Sequence, residues 1–359
     1  FAAVSIRQDT STVIPFTISN MSAASLVVTA SSSNTTLQPN GGLVIGGTGL
    51  SRTLTITPAA GQSGQADITV EANNGTQSAS TTFRLSVTRT MFSASSDAEV
   101  EPTLTSPPYS VTNQGWVRLS AGTGSGTGRD RCVVFPFQLP DLGAVANPFF
   151  SATFQMNHES NNGTPAGNVL LYGLGSRASA NVVVGDYWSA TATVDPTDAS
   201  LLQANLIPQG STDFGLKATS VTGSDSLAAY LNAQYAGGAG IGQYVFLRLS
   251  VDAAQTGGNS RYFITSANGA TSDLNIHPQI NFLTNDQVQT PVVTLVALGS
   301  PVLQTDPASW SDGQAPHGNA SYVVPATGNL RGPTGTSSFP GLSLTVEKGG
   351  RYQVRALDG

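Results

Sequence analysis

SSSNTTLQPN (Ser31–Asn40), RTLTITPAAGQSGQADITVEANNGTQ (Arg52–Gln77) and FRLSV (Phe83–Val87) are short alternating runs punctuated by glycine, proline and asparagine. In Arg52–Thr57, Leu54 and Ile56 fall on one face and the threonines on the other, which is the period of a half-buried strand. Pro58 ends that run. Ala66, Ile68 and Val70 resume the alternation after Gly61–Gly64, Asn73-Asn74-Gly75 supplies side chains that tolerate positive φ, and Phe83, Leu85 and Val87 close the pattern. Strands at this density predict an immunoglobulin-like β-sandwich over residues 1–90, with Leu54, Ile56, Ile68, Val70, Phe83 and Leu85 inside.

Working outward, the 359 residues leave room for two further units, at 91–290 and 291–359. Charged residues make up 10% of the chain, against about 25% in an ordinary soluble domain, so the surface is built mainly from Ser, Thr, Asn and Gln. That composition suits an extracellular or cell-surface β protein. The net charge is -6 and the only lysines are Lys217 and Lys348, so nucleic-acid binding lacks its usual basic footprint. No apolar run reaches the length of a membrane-spanning helix, and no membrane insertion is expected. The chain reads as a window on a longer, secreted polypeptide. The single cysteine, Cys132, lies in the apolar run RCVVFPFQL and is expected in a core.

In the middle region β-rich runs occur at Trp116–Leu119, Cys132–Leu139, Phe150–Met156, Val169–Tyr172, Val182–Val184, Tyr244–Val251 and Tyr262–Thr265. Two short helices are expected between them. Asp195-Pro196 looks like an N-cap followed by a proline at the first helical position, with Leu201, Leu202 and Leu206 as a stripe ended by Pro208. The second runs over about 226–235, stopped by the glycines from Gly237 onward. The expected fold class is all-β: an immunoglobulin-like sandwich, a larger jelly-roll-like β-sandwich with two short helices, and a further β-rich segment.

Residues 3–90 resemble the tandem cadherin-like and immunoglobulin-like repeats of large secreted bacterial proteins, on Asp9-Thr10, SSSNTTLQPN, the PAAGQSG stretch and the closing FRLSV. Ser19-Asn20-Met21-Ser22 and Asn73-Asn74-Gly75 stand where such relatives often carry calcium-binding acids. Residues 92–288 resemble the DNRLRE and disaggregatase-related carbohydrate-binding β-sandwiches, on SASSDAEV, RCVVFPFQLPDL, ATFQM, VLLYGLGSRAS and GDYWSATA. From about Thr290, the segments ASWSDGQAPHGNASYVV and SSFPGLSLTVEKGGRYQVRAL resemble the opening turns of β-solenoid passenger regions.

Catalytic signatures are largely missing from the sequence. There is no Gly-x-Ser-x-Gly elbow and no phosphate-cradling Gly-x-x-x-x-Gly-Lys, and His158, His277 and His317 are widely separated. The chain is therefore expected not to be an enzyme and to carry no cofactor, a solvated strand edge being the favoured reading of its one acidic cluster and a calcium site the alternative. That cluster is Asp97, Glu99 and Glu101, which alternate and would share one strand face, where their mutual repulsion would favour a bound calcium or sodium ion if the edge were not simply solvated. For carbohydrate, flat rings beside a carboxylate single out Tyr187 and Trp188 with Asp186, and also Tyr109 and Trp116. Against that stands a core role for the tryptophans. The function expected is a structural or adhesive segment, a fibre subunit whose partners are copies of itself or neighbouring modules. The alternative is the carbohydrate-binding region of a secreted polysaccharide-degrading enzyme, with polysaccharide as partner.

Overall fold

The computed structural model describes the chain apart from residues 20, 24, 101–115, 120–130, 189–198, 254–259, 269–272, 288–291, 297–300, 312–320, 335–338, 340–342 and 356–359. The described residues divide into two compact units, Phe1–Val288 and Gln289–Gly359. They are nearly all β, with one α-helix. None of their helices is long and apolar enough to cross a membrane.

The first seven strands are β1 (Val4–Arg7), β2 (Thr12–Thr17), β3 (Val27–Ser32), β4 (Leu43–Thr48), β5 (Ser51–Ile56), β6 (Gly64–Asn73) and β7 (Ser78–Phe92). One sheet has the order β2-β5-β4. In the other, β3-β6-β7 run antiparallel and β1 joins β7 in parallel. Strands two, five and four facing strands three, six and seven is the division of an immunoglobulin-like Greek key. The predicted inside residues Leu54, Ile56, Ile68, Val70, Phe83 and Leu85 are all buried in its core, joined by Leu37, Leu43, Ala66 and Val87. Strict alternation on β5 and β6 is what makes this core, because each strand can offer only every second side chain to it.

A larger sandwich follows, from β8 (Ala98–Val100), β9 (Trp116–Leu119), β10 (Cys132–Gln138), β11 (Phe149–Asn162), β12 (Val169–Arg177), β13 (Ser200–Ile207), β14 (Gly215–Ala218), β15 (Tyr244–Val251), β16 (Arg261–Thr265) and β17 (Gln279–Thr284). One sheet has the order β13-β12-β15-β10-β8. The other contains β17, β11, β16 and β9, with β14 on β11. Phe135, Phe137, Phe154, Leu247, Leu249, Ile280 and Phe282 pack between the two.

The sequence places a boundary between residues 90 and 91, and close to it β7 changes partners without ending. Its residues up to Thr88 pair with β6 and β1, while Arg89, Thr90, Met91 and Phe92 pair with Phe282, Asn281, Ile280 and Gln279 of β17. One strand of 15 residues thus belongs to both sandwiches. Gln287 adds a tie by donating from its Nε2 to Ser63 at 2.6 Å.

Three local expectations are corrected. The stripe Leu201, Leu202 and Leu206 lies on strand β13, not on a helix: Leu202 and Leu206 are buried and Leu201 is half exposed. A spacing of four satisfies the helical and the strand periods alike, and the pairing with β12 decides. Asp195 and Asp198 lie outside the described residues. Val182–Val184 is not a strand but leads into a 3-10 turn at Val184–Asp186. The second helix exists as α1 (Val221–Tyr235), starting five residues earlier than predicted, where the Ser220 hydroxyl accepts from the Gly223 N–H. Its end is set by Ala236 in the left-handed region, one residue before Gly237. Leu227, Leu231 and Tyr235 of α1 join the large core.

In the second unit, β18 (Val292–Thr294), β19 (Val302–Leu303), β20 (Ser321–Val324), β21 (Asn329–Thr334), β22 (Ser343–Val346) and β23 (Arg351–Arg355) alternate between two parallel sheets, β18-β20-β22 and β19-β21-β23. Ser321 pairs with Ser343 and Leu330 with Tyr352, the same spacing of 22 residues in both sheets. Trp310, Tyr322 and Leu330 are buried between them. The Trp310 indole N–H donates to the Gln304 carbonyl at 2.9 Å.

Candidate functional site

Asp186, Tyr187 and Trp188, three of the residues singled out for carbohydrate, gather on the outer face of the β13-β12-β15-β10-β8 sheet. By strand alternation that face carries Tyr172 and Leu174 from β12, Phe246, Arg248 and Ser250 from β15, and Cys132 and Val134 from β10. The segment after β12 folds back over it. Asp186, 6% exposed, takes the Arg177 guanidinium at 2.9 Å and the Val183 N–H at 2.9 Å. Arg177 in turn lies 3.6 Å from the centre of the Phe246 ring.

Arg248 is fully buried. Its guanidinium sits over the rings of Tyr172 (4.9 Å) and Trp188 (5.5 Å) and donates to the Asp186 carbonyl at 3.2 Å. Trp188 meets Tyr172 edge to face at 5.4 Å, and its carbonyl accepts from the Ser250 hydroxyl. Tyr187 packs at the margin of a small second core made by Val100, Cys132, Val134, Leu174 and Phe246. The Cys132 thiol is buried 3.9 Å from the Asp186 carbonyl, and desolvation pushes its pKa up to about 12, so the nucleophilic thiolate is suppressed. Asp186, Tyr187 and Trp188 do come together, as a lid on their own sheet. Tyr109 and the side chain of Trp116 lie outside the described residues.

The acidic trio is spread differently. Glu99 is buried and receives the guanidinium and backbone N–H of Arg118, with Arg131 at 3.8 Å. Asp97 is buried, with no basic partner among the described residues: its Oδ2 accepts from the Ala267 N–H at 2.8 Å, its Oδ1 from nothing among them. Burial raises its pKa to about 7. Glu101 lies outside the described residues. Among the described residues no group of three His, Cys, Asp or Glu is placed to hold a metal ion.

A feature that the sequence does not announce lies on the opposite sheet. A groove of about 670 Å³ runs between β1 and the outer face of β11 and β17. Ser151, Thr153 and Gln155 alternate with the core residues Ala152, Phe154 and Met156, and Asn281 lies between Ile280 and Phe282, so these polar side chains face outward into it. Arg7 is the single charged residue among the described residues that line it, and its guanidinium donates to Asn275 Oδ1 at 2.7 Å. Gln279, 1% exposed, also lines the groove, and its Oε1 accepts no hydrogen bond among the described residues. Leaving such an oxygen buried and unmet costs about 1 to 3 kcal/mol. Phe150 and Leu216 supply exposed apolar surface at the same place.

No family model matches this chain, and no curated protein sequence does. Among solved structures it is similar to an I-band fragment from titin, at 14% identity over 61% of this chain and 51% of that one, with a TM-score of 0.20. The chain spans about half the length of that fragment. It is also similar to a chimeric titin tandem (15% identity, 71% of this chain and 96% of that one, TM-score 0.20). A third likeness is to the C-terminal domain of the Streptococcus agalactiae AgI/II polypeptide BspA (10% identity, 80% and 88%, TM-score 0.17). Likenesses at these TM-scores carry no argument; the fold assignment stands on the strand order itself.

Proposed function

We propose that this chain is a non-catalytic segment of an extracellular or cell-surface structural or adhesive protein, working through contacts between its modules and with neighbouring copies. The observation that carries the reading is β7, whose 15 residues are hydrogen-bonded into both sandwiches. A flexible linker lets modules swing; a shared strand transmits force and orientation from one core to the next. The weakly charged, amide-rich and hydroxyl-rich surface fits the same role, because it offers little repulsion to side-by-side packing. The parallel strands of the second unit, which step by 29 and 28 residues and then by 22 in both sheets, favour its being read as the coils of a β-solenoid, a form suited to extended surface proteins.

The test is unfolding of the full chain, followed by hydrogen exchange along the sequence. Amides of β5 and β6 are expected to lose protection in the same transition as those of β11 and β15. Loss in two separate steps would show that β7 does not couple the sandwiches. Sedimentation over a concentration series checks the self-contacts, which should bury more than about 1,000 Å² when specific.

A further inference from the structure

We propose that the groove between β1 and the outer face of β11 and β17 binds an uncharged, hydroxyl-rich saccharide chain. This goes beyond the structural reading and does not depend on it. The lining chemistry selects the ligand class. Its Ser, Thr, Asn and Gln side chains donate and accept hydrogen bonds, as saccharide hydroxyls do. A polyanion would want several cations, yet Arg7 is the only one among the described lining residues and is already held by Asn275. A basic peptide would want carboxylates, and the described lining has none.

Gln279 supplies an independent pointer. The residue lines the groove, while its Oε1 is itself buried and accepts nothing among the described residues, so that oxygen is an acceptor awaiting a donor that a turn of the amide would bring to it. The terminal torsion of glutamine is broad, so the amide can turn either its oxygen or its nitrogen to a hydroxyl in the groove. Phe150 and Leu216 give the apolar C–H face of a sugar ring a surface to lie on. The volume of about 670 Å³ falls within the usual span of small-ligand sites. A neutral saccharide uses the hydroxyls, the amides and the apolar patch together.

The experiment screens the full chain on an array of neutral and acidic glycans and titrates the neutral hits calorimetrically at low and high salt. Saturable binding of neutral glycans, unchanged by salt, is expected. Ser151→Trp, which fills the groove, should weaken binding by about tenfold or more, and Gln155→Ala should weaken it while melting stays close to that of the parent. Trp188→Phe, on the other sheet, should leave affinity unchanged. The proposal is overturned if neutral glycans do not bind at millimolar concentration, if only acidic glycans bind, or if binding persists in both Ser151→Trp and Gln155→Ala. Glycan binding by a chain whose sandwiches unfold separately would sink the structural reading alone, so the two failures are distinguishable.

Discussion

The two outer faces of the larger sandwich are chemically opposite. One carries Arg248, Tyr172, Phe246 and Cys132 and is roofed by its own chain, with Asp186 and Trp188 in the roof. The other carries Ser151, Thr153, Gln155 and Asn281 and stands open. The residues that look most like a site are thus consumed internally, and those that look like ordinary surface line the groove. Physics explains the inversion. A charge or an indole enters a protein interior only with partners, so tightly packed roofs collect conspicuous residues in pairs. A surface for a neutral ligand needs none of them.

The hardest blow to this contrast comes from Arg248→Ala. It removes a fully buried side chain from between Tyr172 and Trp188 and leaves the Asp186 carbonyl with only the weak Cys132 thiol donor, with an expected cost of about 4 kcal/mol. The urea midpoint measures it. A loss below about 1 kcal/mol would mean that the roof is a loose flap whose aromatics are free for a ligand.

Asp97→Asn probes a buried carboxylate that, unlike Glu99, has no arginine beside it among the described residues. Its folded pKa of about 7 lies above the ordinary 3.8, so its contribution to stability is full below about pH 3.8 and is lost as pH rises through 7. Asparagine keeps the acceptor for the Ala267 N–H and carries no charge. The variant should match the parent at pH 4 and exceed it by roughly 2 kcal/mol at pH 8, about half of what three pKa units would give because entering water relaxes part of the penalty. An equal difference at both pH values would show that Asp97 does not titrate in this window.

How much of this was legible depended on whether a single strand carried the signal. Leu54, Ile56, Ile68, Val70, Phe83 and Leu85 were readable because alternation is local, and all are buried. Leu202 and Leu206 were not, since four-residue spacing fits both periods and only β12 chooses between them. Asp186-Tyr187-Trp188 could be found as neighbours, but their role as a lid rests on Tyr172, Arg177 and Arg248, which the sequence scatters over 77 positions. The groove was invisible for the same reason. It draws on β1, β11 and β17, and none of its polar residues departs from the composition of the whole chain.

Trp188→Ala tests the roof more gently than Arg248→Ala. The indole is half buried, against Tyr172 and the Arg248 guanidinium, and its loss should cost about 2 kcal/mol, with faster exchange of the amides around Val183. Unchanged stability and exchange would free the ring for the ligand role that its sequence neighbourhood suggests.

The smallest effect is expected on the open face. Ser151 lies on β11 with its backbone paired to Leu283 and its hydroxyl toward the groove, so Ser151→Ala removes no buried partner and leaves no cavity. Its stability should stay within about 0.5 kcal/mol of the parent, the range of surface substitutions away from special features. A larger loss would mean that the hydroxyl is already engaged inside the protein, and the groove would then resemble the covered face. An unchanged midpoint keeps the faces distinct: one closed by its own chain, the other an open polar surface on which Thr153, Gln155 and Asn281 each hold one internal partner, Ser224, Asn275 and Thr90, and keep further hydrogen-bonding capacity for a ligand.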